Sequence, residues 1–128
     1  MNRLGHRSGA VAGALAVASA TGMRPASAAV LVGAAYVTST LPDIDQTKPW
    51  RMLDKVVPDE WFGGPLAHRG LTHWWGIPAV AYATTLSLTG YALDAAHGLI
   101  LGYAAHIALD AVWGRPGVPV GPWWWHAG

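Results

Sequence analysis

Hydrophobic and polar residues follow one another in long blocks along this chain. Four apolar segments are predicted to form helices, at about residues 9–23, 26–41, 72–93 and 95–113. A membrane-spanning helix needs about 20 apolar residues, which the third and fourth segments supply and the shorter first two do not. Pro42 ends the second segment because proline cannot donate a helical hydrogen bond. The pattern predicts an all-α, four-helix integral membrane bundle that forms a single domain.

Two polar segments interrupt the apolar ones. Residues 42–71 hold most of the charge and form a predicted loop between helices 2 and 3, which at about 30 residues is long enough to favour a functional role. Residues 114–128 form a tail that contains three adjacent tryptophans, Trp123 to Trp125. Tryptophan suits the headgroup region of a bilayer, so the tail is predicted to lie at the membrane surface.

Composition narrows the classes of function. Hydrophobic residues make up 52% of the chain and charged residues only 12%, with a net charge of +1. The predicted partner is membrane lipid, and no basic stripe indicates a nucleic-acid partner. The absence of cysteine excludes disulfides, thiolate catalysis and cysteine-ligated zinc. Any metal must therefore bind to His, Asp and Glu.

The basic residues predict the orientation in the membrane. With four helices, the side that contains both termini and the loop carries Arg3, Arg7, Lys48, Arg51, Lys55, Arg69 and Arg115. The opposite side carries Arg24. Basic residues are retained on the cytoplasmic side, so both termini and the loop are predicted to be cytoplasmic in a multi-pass protein of the cell inner membrane.

The first apolar segment permits two interpretations. Arg3 and Arg7 before an apolar run, with Ala26-Ser27-Ala28 after it, are also the signature of a cleaved signal peptide. As a membrane helix, the segment carries Gly9 and Gly13 at the spacing that lets helices approach closely.

The densest polar cluster, residues 67–73, precedes the third apolar segment. On one continuous helix, His68 and His73 would point about 140° apart, which is too far to share a ligand. Gly70 permits a turn between them, and Thr72 is predicted to cap the following helix. Both rings are therefore expected to face one point.

His106 and Asp110 form a second candidate pair, on the fourth helix. Their i, i+4 spacing places them about 40° apart on one helical face, so they can share a metal. Alternatively, the carboxylate orients the imidazole. Ionisable residues inside an apolar helix are costly and indicate a functional site.

Asp43 and Asp45 follow the helix-ending Pro42. In an extended backbone these carboxylates would point the same way and attract a cation, although Pro-Asp-x-Asp is also an ordinary solvated turn. His6 lies just before the first helix, where a lone histidine is usually solvated.

Two further basic side chains need a role. The forked donors of Arg69 match a phosphate or carboxylate, but an arginine at this place is equally explained by the positive-inside rule. His97 lies near the other end of the fourth helix, and we interpret it as a surface or packing residue. In the predicted topology, every other candidate group falls on the cytoplasmic face of the membrane.

Four motifs in order carry a family resemblance. They are Leu41-Pro42-Asp43-Ile44-Asp45, His68-Arg69-Gly70-Leu71-Thr72-His73, Gly102-Tyr103-x-x-His106-x-x-x-Asp110 and Gly117-Val118-Pro119 with a following Trp. Together they resemble the YdjM-like family of predicted membrane-bound, metal-dependent hydrolases. The resemblance implies candidate metal ligands or catalytic groups at His6, Asp43, Asp45, His68, His73, His106 and Asp110. It also implies supporting roles for Arg69 and Thr72.

The resulting functional prediction is a hydrolase that holds one or two divalent ions, most simply Zn²⁺. Three or four protein ligands suffice for one zinc, so seven candidates indicate two ions or one ion with acid–base partners. The ion would lower the pKa of water, Asp45, Asp110 or a histidine would take the proton, and Arg69 would steady the oxyanion. The expected substrate is an ester or phosphoester, and a lipid-derived one fits the predicted location of the site.

Two other classes of protein stay open. One is a non-enzymatic membrane protein with a structural or carrier metal site, although a carrier would place its polar groups at mid-membrane depth. The other is a soluble helical bundle with a buried metal site. The short first two helices and the mean hydropathy of only +0.27 favour that interpretation.

Overall fold

A computed structural model of the protein describes residues 3–57 and 71–113, apart from the side chains of residues 45, 54, 55 and 71. These residues form helices and no strand, as the predicted all-α class requires. The α-helices are α1 (Arg3–Ala20), α2 (Pro25–Thr38), α3 (Lys48–Arg51), α4 (Gly76–Thr84) and α5 (Gly90–Trp113). Short 3-10 helices lie at Pro42–Gln46, Met52–Lys55, Leu71–His73 and Thr85–Ser87. Helices α1, α2 and α5 pack against one another, and α4 packs against α5.

Helix α1 begins at Arg3, before the predicted start at residue 9. The reason is that every fourth residue from His6 onward is buried. This buried stripe consists of His6, Ala10, Ala14 and Ala18. Burial of this stripe stabilises the helix through its polar first turns and places His6 in the core. The predicted packing face at Gly9 and Gly13 is wrong in part, because a Cβ on Gly13 would meet nothing within 4 Å.

The turn between α1 and α2 is set by Gly22. This residue has φ +62°, a left-handed conformation that glycine adopts without steric cost. The Met23 N–H donates to the Ala18 carbonyl at 3.0 Å and the Gly22 N–H to the Ser19 carbonyl at 3.2 Å. These two bonds are the Schellman motif that ends a helix. Pro25 then starts α2, at a position where its missing N–H has no helical partner to lose.

Helices α2 and α5 meet through small residues. A Cβ on Gly98 would collide with the Leu31 carbonyl oxygen, and one on Gly102 would collide with the Ala35 carbonyl oxygen. At the same contact, the Thr38 hydroxyl donates to the Leu99 carbonyl at 2.9 Å. The backbones are therefore in direct contact, which holds the end of α2 beside the second half of α5.

The predicted continuous helix over residues 72–93 is not observed. Helix α4 ends at Thr84, and Leu88 is extended with φ −91° and ψ 152°. The Thr84 and Thr85 hydroxyls donate to carbonyls three residues earlier, at 2.7 and 2.8 Å. Such bonds compete with helix continuation, and apolarity alone does not reveal them. At nine residues, α4 is about 14 Å long, so a crossing of a bilayer core of about 30 Å would also need the flanking residues between His73 and Gly90.

Within residues 3–57 and 71–113, two stretches are long and apolar enough to cross a membrane, Pro25–Arg51 and Gly90–Trp113. The first contains α2, which ends at Thr38 and not at residue 41 as predicted. The second is α5, which starts at Gly90, five residues before its predicted start. The four-span arrangement and the long loop stay predictions.

Candidate metal centre

Five polar side chains from four parts of the chain meet at one end of the helical bundle. They are His6 in the first turns of α1, Asp43 after α2, His73 before α4, and His106 and Asp110 near the end of α5. The three histidines are at most 1% exposed and Asp110 is 3% exposed. Burial of this many ionisable groups is costly unless they are paired or bind a metal.

Asp110 lies at the centre of the cluster. Its Oδ1 is 3.3 Å from His6 Nε2, and its Oδ2 is 3.5 Å from His73 Nε2 and 3.6 Å from His106 Nε2. One carboxylate thus approaches three imidazoles from three different elements. The i, i+4 spacing on α5 supplies only the third of these contacts.

Asp43 is the second carboxylate and the more open one. Its Oδ1 is 3.6 Å from His106 Nε2 and 3.9 Å from His73 Nε2. The same oxygen accepts a hydrogen bond of 2.6 Å from Gln46 Nε2, which fixes the direction of the carboxylate. The Asp43 side chain is 16% exposed, so this is the more accessible side of the cluster.

The hydrogen bond of His106 to the backbone determines its tautomer. His106 Nδ1 lies 2.6 Å from the Ser39 carbonyl oxygen, which can only accept, so Nδ1 carries the proton. Nε2 then presents a lone pair toward the two carboxylates. This buried nitrogen has no hydrogen-bond partner among the described residues. A buried acceptor without a partner is destabilising, and a bound cation would remove that penalty.

His6 packs flat against His106. Their ring centroids are 3.7 Å apart and the planes differ by 14°. The contact holds both Nε2 atoms near Asp110 and continues the alanine stripe of α1 into the cluster. His6 is therefore a buried member of the cluster and is not solvated, which its sequence position alone would favour.

His73 is oriented by the turn in which it lies. The Thr72 hydroxyl is 3.2 Å from His73 Nδ1, and the Tyr103 hydroxyl donates a short hydrogen bond to the Thr72 carbonyl. The predicted capping role of Thr72 is wrong, because Leu71–His73 is a 3-10 helix and α4 begins only at Gly76. Sequence analysis assigned no role to Tyr103. The available signal was a phenol three residues before His106 on the same helix.

Tyr103→Phe tests this positioning contact. We expect metal affinity to fall about tenfold while the fold is retained, since partners that orient ligands contribute on that scale. The measurement is competition for Zn²⁺ with a chelating dye. Tyr91→Phe, which changes an exposed tyrosine at the other end of α5, is the matched control and should leave the affinity unchanged. Equal affinities for all three proteins would contradict the contact's role.

The geometry of the cluster fits a small divalent cation. In the part of the chain that the structure describes, two groups of three residues keep their ligand atoms within 4.8 Å of one another, namely His6, His106 and Asp110, and Asp43, His73 and His106. Zinc bonds of about 2.0–2.1 Å in a tetrahedron imply ligand separations of about 3.3 Å. Four nitrogen–oxygen separations in the cluster lie between 3.5 and 3.9 Å. The cluster therefore needs only a small contraction to hold such an ion.

The structure does not describe the side chains of three other predicted site residues. The prediction of an extended backbone from Asp43 to Asp45 is wrong, because Pro42–Gln46 is a 3-10 helix. The Asp45 side chain, His68 and Arg69 lie outside the described residues, so their roles stay predictions. His97 stacks on Tyr82 with centroids 5.7 Å apart, which agrees with a packing role.

The chain matches a known protein family. The family model described as YdjM inner membrane protein matches residues 1–127, which include every residue of the cluster. No curated protein and no solved structure matches the chain. The family match and the two apolar helical stretches support a membrane location.

Proposed function

Because the chain belongs to the YdjM inner membrane protein family, we propose that it is a membrane-bound hydrolase that uses Zn²⁺ to cleave an ester or phosphoester. The observation that carries the proposal is the buried lone pair of His106 Nε2, which faces two carboxylates. Nitrogen and carboxylate donors at this spacing suit zinc. A substrate that is itself associated with the membrane, such as a lipid phosphoester, fits the location of the protein.

We assign the ion to His73, His106 and Asp110. Catalytic zinc sites use three protein ligands and leave one position open. The Nε2 atoms of His73 and His106 both approach the same oxygen of Asp110, Oδ2, at 3.5 and 3.6 Å. His6 contacts the other oxygen of Asp110 and would orient it, which is the usual role of a partner behind a ligand. The burial of Asp110 favours a ligand role over an acid–base role.

Asp43 is the proposed acid–base group. A bound Zn²⁺ would lower the pKa of water and polarise the substrate oxygen. Asp43, held by Gln46 at the open side of the cluster, would accept the proton from the attacking water and return it to the leaving oxygen. Arg69 stays a candidate for steadying the oxyanion, and Asp45 a candidate for a second acid–base group.

We also propose a multi-pass topology with both termini and the metal site on the cytoplasmic side of the inner membrane. Basic residues support it, because Arg3, Lys48 and Arg51 belong to elements at the same end as the cluster. Arg24 lies in the turn between α1 and α2 at the other end. This asymmetry is the one expected from the positive-inside rule.

A structural metal site is the second candidate function. Asp43 Oδ1 approaches both His106 and His73, so it can complete a set of four protein donors. Structural zinc sites are closed in this way, whereas catalytic sites keep a position for water. The two functions therefore differ in whether Asp43 binds the ion or the proton.

Asp43→Asn separates the two functions. For a hydrolase, we expect the variant to keep its zinc while turnover falls at least about 100-fold, the usual contribution of a general base. The measurements are zinc per chain by mass spectrometry and hydrolysis of bis(p-nitrophenyl) phosphate, p-nitrophenyl butyrate and phosphatidic acid. Asp94→Asn, near the start of α5, is the matched control. Loss of zinc from Asp43→Asn, or zinc-loaded wild type that cleaves none of these probes, would favour the structural site.

A further inference from the structure

A groove of about 330 Å³ runs along the outside of α1, beside α2. Its lining includes Leu4, Arg7, Val11 and Leu15 of α1 and Tyr36 of α2. Arg7, Val11 and Leu15 each follow a residue of the buried stripe by one position, so they lie about 100° around the helix from it, on a neighbouring face. The groove is thus separate from the metal centre, although both begin in the first turns of the same helix.

The groove has a cationic end and an apolar remainder. Val11 follows Arg7 by four residues and Leu15 follows Val11 by four, so the three side chains form one row. From Arg7 to Leu15 the row is about 12 Å long, a length that matches a segment of an acyl chain. Leu15 is 53% exposed, and in a membrane protein such a residue faces lipid.

Arg7 is poised to bind an anion. Its guanidinium carbon lies 4.8 Å from the centre of the Tyr36 ring, which fixes the planar group and leaves N–H donors available. Its Nε is buried and has no hydrogen-bond partner among the described residues. An arginine fork of this kind matches the oxygens of a phosphate.

We propose that this groove binds an anionic phospholipid, with the phosphate on Arg7 and an acyl chain along Val11 and Leu15. The charge selects an anionic lipid over a zwitterionic one, because a basic residue at the membrane surface attracts the net negative headgroup. The row of apolar side chains favours a ligand that carries an acyl chain over free phosphate. This site does not depend on the proposed hydrolase, since none of its residues belongs to the metal cluster.

Native mass spectrometry of the full chain in detergent tests the proposal. The probes are phosphatidylglycerol and phosphatidylcholine, added at equal concentration. We expect wild type to retain phosphatidylglycerol in preference, and Arg7→Gln to retain it about fivefold less. Val11→Trp, which fills the groove and keeps the charge, should lose the lipid as well. Ala12 also lines the groove, so Ala12→Trp is a second way to fill it if Val11→Trp does not fold.

Controls separate this site from general charge and from the metal centre. Arg24→Gln removes a basic residue at the other end of the bundle and should leave retention of phosphatidylglycerol unchanged. Zinc content should stay at the wild-type value in all folded variants. No preference for phosphatidylglycerol in wild type, an equal loss in Arg24→Gln, or full retention when the groove is filled would each overturn the proposal. Failure of the metal centre would instead appear in the zinc content alone.

Discussion

Replacing His106 with alanine is expected to abolish metal binding. His106 Nε2 is the ligand atom that the two groups of metal-binding residues share, so its loss breaks both. Removal of a ligand should weaken affinity more than the roughly 10- to 100-fold seen for residues behind a ligand. The measurements are zinc per chain and the thermal midpoint with and without added zinc. A ligand at 100 times its Kd stabilises by about 2.7 kcal/mol, an increment that the variant should lack.

His97→Ala is the matched control for this experiment. It removes the same residue type from the same helix, at a place where the ring stacks on Tyr82 and contacts no member of the cluster. It should keep both the zinc and the thermal shift. Full zinc content in His106→Ala, or no zinc in wild type after zinc is added, would contradict the metal centre. The cluster would then be a hydrogen-bonded network of buried imidazoles and carboxylates.

Gly102→Ala is expected to destabilise the protein by about 1–3 kcal/mol. The new Cβ would collide with the Ala35 carbonyl oxygen and with the Thr38 hydroxyl, and backbone cannot move aside cheaply. Separation of α2 from α5 would also weaken the bond from Thr38 to Leu99 and shift Ser39 relative to His106. We therefore expect a loss of metal affinity with the loss of stability. Equilibrium unfolding in detergent and a zinc titration measure the two effects.

Gly33→Ala is the control for the glycine substitution. Gly33 lies within α2, and a Cβ there would meet nothing within 4 Å. Alanine is favoured over glycine in a helix by about 0.5–1 kcal/mol, so stability should stay level or rise slightly. Equal destabilisation by both substitutions would show that the effect is not due to the close approach of α2 and α5.

Several local features of the molecule follow directly from the sequence. The apolar segments form helices because a helix hydrogen-bonds its own backbone N–H and C=O groups. Its apolar residues can then be buried without leaving these groups unpaired. His106 and Asp110 share one face because four residues on a continuous helix determine the angle between them. The turn after α1 follows from Gly22 and Pro25, whose backbone preferences are intrinsic to the residue.

Other features depend on tertiary contacts. The hydrogen bond from His106 to Ser39 joins residues 67 apart in sequence, and the one from Tyr103 to Thr72 joins residues 31 apart. The period of a single helix does not relate residues this far apart in sequence, so no local pattern predicts these two hydrogen bonds. The end of α4 depends on threonine hydroxyls that either continue or interrupt a helix according to their surroundings.

The sequence by itself determined which residue types form the site. It also determined that they lie at one end of the bundle, because successive helices are predicted to run in opposite directions. Only the tertiary structure decided that His6 is buried on His106 and that Asp110 contacts three imidazoles. It also decided that Asp43 lies on a 3-10 helix at the open side of the cluster. The physical reason is that helical periodicity sets directions within one element. Distances between elements are set by packing, here by the contact of Gly98 and Gly102 with the backbone of α2.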